Sequence, residues 1–84
     1  MEVYFTKHAS AKFQVLLTHG VKISRSKVAR TVKTPSAIDR SRLPLLIAQS
    51  SLDKSHVLRV VYKKDDDLII IITFYPGRKS QYEK

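Results

Sequence analysis

A chain of 84 residues with 43% hydrophobic content has room for one domain and one compact core. It has no cysteine, which excludes a disulfide framework or a thiolate metal site, and no apolar run near the roughly 20 residues that cross a bilayer. The charge is strongly positive, 16 Lys+Arg against 7 Asp+Glu for a net +9, which points to a polyanionic partner, nucleic acid or an acidic protein.

That charge is uneven. Residues 1–42 hold nine basic and two acidic side chains, and residues 43–84 hold seven and five. Met1 leads straight into Glu2 and a short β-prone segment, with no signal-like leader. The expectation is a soluble, cytoplasmic protein with no membrane partner.

In chain order the pattern predicts β-α-α-β-β-β. Val3, Tyr4 and Phe5 make a short strand, and Thr6 caps a helix from Lys7 to about His19 that Gly20 stops. Ala9, Phe13, Leu16, Leu17 and Gly20 form one apolar stripe to lie on a sheet. His8, Lys12 and His19 share an adjacent stripe with Val15. Ser24 caps a second helix running to about Lys33, ended by Thr34-Pro35. Arg25 and Lys27 occupy its first turn, where the helix dipole prefers acids. That placement fits either an anion site or a plain solvated basic face.

Ser36 to Arg42 reads as a polar linker, and Leu45 to Ser51 as a strand. Val57 to Lys63 is β-branched and aromatic, and Leu68 to Tyr75 begins with an unbroken apolar run suited to a central strand. Asp65, Asp66 and Asp67 supply the turn between them, while Pro76 and Gly77 end the last strand before Arg78 and Lys79. Two helices followed by a three-strand meander define an α+β domain over residues 1–84, with both helices on one face of a twisted, mainly antiparallel sheet. Alternation puts Leu58, Val60 and Tyr62 under the helices. Arg59 and Lys63 then stand on the open face, where a polyanion could lie or where Arg59 could simply pair with an aspartate.

Leu58-Arg59-Val60-Val61-Tyr62, the acidic turn, the aliphatic strand and Gly77-Arg78-Lys79 resemble the C-terminal half of RelE/ParE-superfamily toxins of toxin–antitoxin pairs. The opening strand with His8-Ala9, and the helix end at His19-Gly20-Val21 with Ser24, are similar to small RelE-like proteins, so the likeness spans nearly the whole chain. The resemblance implies a RelE-like fold. For the ribonuclease branch it implies metal-independent cleavage of mRNA, often on the ribosome, with no cofactor, and neutralisation by a cognate antitoxin.

Carried over by position, Arg59 binds the scissile phosphate, Arg78 stabilises the transition state, Tyr82 stacks on a base or moves a proton, and Lys79 supports phosphate binding. Lys12, Arg25, Lys27 and Lys63 are further RNA-binding candidates. No motif fixes the general base. His8 is a candidate because imidazole titrates near neutral pH. His8, His19 and His56 lack a metal-ligand spacing, so no metal is expected. Two other classes share the resemblance or the charge: a ParE-like inhibitor of DNA gyrase, and a non-catalytic basic RNA-binding module.

Overall fold

The structure is a computed structural model, and it describes residues 2–83. Its elements are β1 (Glu2–Phe5), α1 (Lys7–Thr18), α2 (Arg25–Lys33), β2 (Ala37–Asp39), β3 (Leu46–Ser51), β4 (His56–Asp65), β5 (Leu68–Arg78) and α3 (Lys79–Tyr82). They form an α+β domain around a five-stranded mixed sheet ordered β1-β5-β4-β3-β2. Neighbours pair antiparallel except β1 and β5, which run parallel. The two sheet edges are also its shortest strands, of four and three residues, which limits the unpaired backbone open to a stray partner.

Local chemistry sets the helix ends. Thr6 Oγ1 accepts the Ala9 N–H at 3.1 Å and Ser24 Oγ accepts the Lys27 N–H at 3.1 Å, the N-caps expected from sequence. Gly20 lies in the left-handed region (φ 79°) and closes α1 with Gly20 N–H to Leu17 O and Val21 N–H to Leu16 O, both 2.9 Å. Ala9, Val28 and Val32 of the helices meet Leu58, Val60, Tyr62, Ile71 and Phe74 of the sheet in one buried cluster. Phe13 bridges it, its ring 4.6 Å from Phe74 and 5.8 Å from Phe5. Leu17 does not join the apolar stripe: it is half exposed, while Ala9, Phe13 and Leu16 of the same helix pack on the core.

Three expectations are corrected. The polar linker contains β2, whose Ile38 pairs with Ala48 of β3. Pro76 and Gly77 do not end β5, which runs on until Arg78 pairs with His56. The reason is that β1 covers only Leu68 to Ile71, so the later part of β5 has no strand on that side and tolerates a residue without an N–H. After the strand the chain turns into α3. The order is therefore β-α-α-β-β-β-β-α, and no helix among the described residues is long and apolar enough to cross a membrane.

Candidate functional site

The sheet face away from α1 and α2 carries the candidate site. β4 brings Val57, Arg59 and Val61 to it, β5 brings Thr73, Tyr75 and Gly77, β3 brings Ile47 and Gln49, and β2 brings Asp39. This face is not open. Val57, Ile47 and Gln49 are buried, and Arg59 is only 7% exposed.

Arg59 is held on every side. Its Nε donates to the Tyr75 hydroxyl at 3.1 Å, one terminal nitrogen to Gln49 Oε1 at 2.7 Å, and the other to Asp39 Oδ2 at 2.9 Å. Its guanidinium plane lies 4.1 Å from the centre of the Tyr82 ring. Burial pulls the Arg59 pKa down, and the hydrogen bonds to Tyr75 and Asp39 outweigh it, so the guanidinium stays charged. Asp39 is lowered to about 2, first by Ser41, whose N–H donates to Oδ1 at 2.9 Å, and then by Arg59. Both members of the pair are therefore ionised.

Tyr82 owes its place to a gap. A Cβ on Gly77 would lie 2.5 Å from the Tyr82 ring, so only glycine lets α3 fold back over β5. With Asp39 and Arg59, the ring lines two clefts, one continued by Ala37, Ile38 and Gln81 and the other by Ser41, Arg42, Leu45, Ile47 and Tyr75. Thr73 Oγ1, on the same sheet face, is buried without a hydrogen-bond partner.

The expected site residues separate into three groups. Arg59 and Tyr82 are together, but Arg59 does not stand free for a phosphate, because three donors and one ring face are already engaged. Arg78 is exposed and Lys79 half-buried at the end of β5, where the Lys79 N–H donates to Ser55 O at 2.8 Å; they line a cleft with Ser55, His56 and Ser80. The rest are scattered. His8 is exposed in the first turn of α1, on the helix side of the sheet, and Lys12 is half-buried on that helix. Arg25 stacks its guanidinium 4.9 and 5.0 Å from the Phe5 and Phe13 ring centres, and Lys27 Nζ donates to Ser51 O at 2.7 Å, so both are partly spent on the fold. Lys63 is exposed on β4.

Sequence reasoning missed Asp39, Gln49 and the Asp53–His56 pair. Asp39 and Gln49 reach Arg59 through strand register, which single residues do not reveal. Asp53 three residues before His56 at a turn was a legible local signal. Among the described residues no group of His, Cys, Asp or Glu is placed to hold a metal ion.

No family model, curated protein or solved structure matches this chain.

Proposed function

We propose that the chain is a toxin of the RelE/ParE superfamily, a metal-independent endoribonuclease acting on mRNA, free or on the ribosome, and neutralised by a cognate antitoxin. The state of its cations carries the reading: among the described residues Arg59 is the one lysine or arginine in an ion pair, which leaves the surface cations to a polyanion. A helix pair on one face of a mainly antiparallel sheet, with Arg59, Arg78 and Tyr82 around its last two strands, supports the same reading.

In this chemistry a ribose 2′-oxygen bonds to the adjacent phosphorus and the bond to the 5′-oxygen breaks. The products are a 2′,3′-cyclic phosphate and a 5′-hydroxyl. Negative charge gathers on the phosphoryl oxygens in the transition state and is best met by cations already held in place. Arg78 and Lys79, exposed and half-buried at the strand exit, are the cations free to do so. Arg59 lies on the opposite face of the sheet from Arg78, where it holds Tyr82 in place. Growth arrest and RNA cleavage should both fall about 10²–10³-fold on Arg78→Ala, by analogy with losing one oxyanion donor. Full cleavage by a folded Arg78→Ala, Lys79→Ala double variant would sink this assignment.

One observation favours a second reading. Arg59, the strand arginine of the resemblance, is neutralised by Asp39, which suits a ParE-like gyrase inhibitor that needs no phosphate-binding arginine there. Loss of gyrase supercoiling activity on adding the protein, with RNA left intact, selects that reading.

A further inference from the structure

We propose that Asp53 and His56 form an acid–base dyad at the cationic end of the sheet, with His56 Nε2 taking the proton of a ribose 2′-hydroxyl. The proposal rests on the endoribonuclease reading and supplies the base that the sequence leaves open.

The geometry is that of an oriented imidazole. His56 Nδ1 lies 2.9 Å from Asp53 Oδ1 and 3.2 Å from Oδ2. Asp53 is itself fixed, because its Oδ1 accepts the N–H groups of Ser55 at 2.9 Å and His56 at 2.8 Å. Those contacts, the Ser55 N–H first and His56 next, hold its carboxyl below the usual range and keep it anionic. An ionised carboxylate only accepts, so in the neutral ring Nδ1 carries the proton and Nε2 keeps a lone pair. Among the described residues Nε2 has no hydrogen-bond partner. With 43% of its side chain exposed, the ring is open to a ligand.

The surroundings are cationic. His56 sits directly across from Arg78 in the β4–β5 ladder, so the two side chains share a face. It lines one cleft with Arg78 and Lys79, and a second with Lys22 from the loop between α1 and α2. The charged groups facing the ring are thus Asp53 from the β3–β4 turn, Arg78 from β5, Lys79 from α3 and Lys22. A phosphate drawn to Arg78 and Lys79 brings the preceding 2′-hydroxyl to the imidazole edge.

The step balances without a co-reactant. The 2′-hydroxyl proton passes to Nε2, the 2′-oxygen forms a bond to phosphorus, and the bond from phosphorus to the 5′-oxygen breaks. The 5′-oxygen takes a proton from water, and the hydroxide left behind recovers the proton held by the imidazolium. Asp53 stabilises that imidazolium while it exists.

The test is cleavage of a short RNA by the full chain, comparing wild type, His56→Gln and Asp53→Asn, with folding checked by circular dichroism. His56→Gln should lower kcat by about 10²–10⁴-fold with KM little changed, the range of a lost general base. Asp53→Asn should also lower kcat with KM little changed, because the amide no longer orients the ring or stabilises the imidazolium. A folded His56→Gln or a folded Asp53→Asn with wild-type kcat overturns the dyad and leaves the endoribonuclease reading standing. Absence of cleavage by wild type overturns that reading, and the dyad falls with it. Nuclear magnetic resonance of the wild type gives an arm independent of the variants. Uridine 3′-monophosphate should shift the His56 ring signals, and unmoved signals under saturating nucleotide overturn the proposal.

Discussion

Arg59 shows how one buried cation can organise a whole sheet face. Its partners come from β2, β3 and β5 with Tyr82 above, so removing it strands Asp39, Gln49 and the Tyr75 hydroxyl together. Arg59→Ala should cost on the order of 2 kcal/mol in a denaturant titration, less than the ~3–5 of a fully buried broken pair because Asp39 keeps about a third of its side chain in solvent. Arg59→Lys should recover little of it, since a point charge cannot replace a planar fork under a ring. Arg78→Ala should change stability by less than about 0.5 kcal/mol, the usual range for an exposed position. Equal destabilisation by Arg59→Ala and Arg78→Ala would contradict the buried role of Arg59.

Asp39 adds a pH signature at the same scale. Its folded value of about 2 lies below the ordinary 3.8, so the folded state holds its proton less tightly than the unfolded chain. Its contribution is therefore complete above about pH 4–5 and is lost as pH falls through about 2. The stability gap between wild type and Asp39→Asn should shrink across that window. A gap constant from about pH 5 to pH 2 would show that Asp39 is not held by Ser41 and Arg59.

Among the elements, the β5–α3 junction is the most exacting. The Gly77 backbone and the Tyr82 ring occupy adjoining space, with 2.5 Å left for any Cβ. Gly77→Ala should destabilise by about 1–3 kcal/mol, as overpacking usually does, and should expose Arg59 by displacing α3. In a Tyr82→Ala background the same change should cost little, so a double-mutant cycle should return a large coupling. Simple additivity of the two changes would mean that α3 does not rest on Gly77.

Chain-order signals carried the helices and long strands. Thr6, Gly20 and Ser24 mark helix ends through chemistry local to a few residues, and the Leu68 to Ile72 run marks an interior strand, although only Ile69 and Ile71 are buried and the other face is half-buried. The face carrying Arg59 followed from alternation alone, whereas its closure did not. β2 is three residues long with no apolar alternation, and it exists because β3 offers it an edge. The continuation of β5 through Pro76-Gly77 depends on where β1 stops, which is a property of the folded sheet. α3 is four residues long and lacks a side-chain cap, so nothing local announces it. For the candidate site, Arg59, Arg78 and Tyr82 were readable as residues, but their division between a buried post and an exposed strand exit depends on register and burial.

For the molecule as a whole, charge governs how partners arrive. With 16 Lys+Arg against 7 Asp+Glu and Arg59 alone among the described lysines and arginines in an ion pair, association with single-stranded RNA should weaken steeply with salt. The slope of log K against log salt should be about −0.7 per phosphate contacted, and Arg78→Ala should flatten it by roughly one contact. The proposed antitoxin, if acidic, should bind fast at low salt by the same attraction and should compete with RNA.

The proposed cleavage chemistry is read from the ends of the RNA products. Wild-type protein incubated with RNA in the presence of a metal chelator should leave 2′,3′-cyclic phosphate and 5′-hydroxyl termini, as the proposed metal-independent attack by the ribose's own oxygen requires. Intact RNA under every condition, or products with 5′-phosphate ends that vanish with the chelator, would rule that chemistry out.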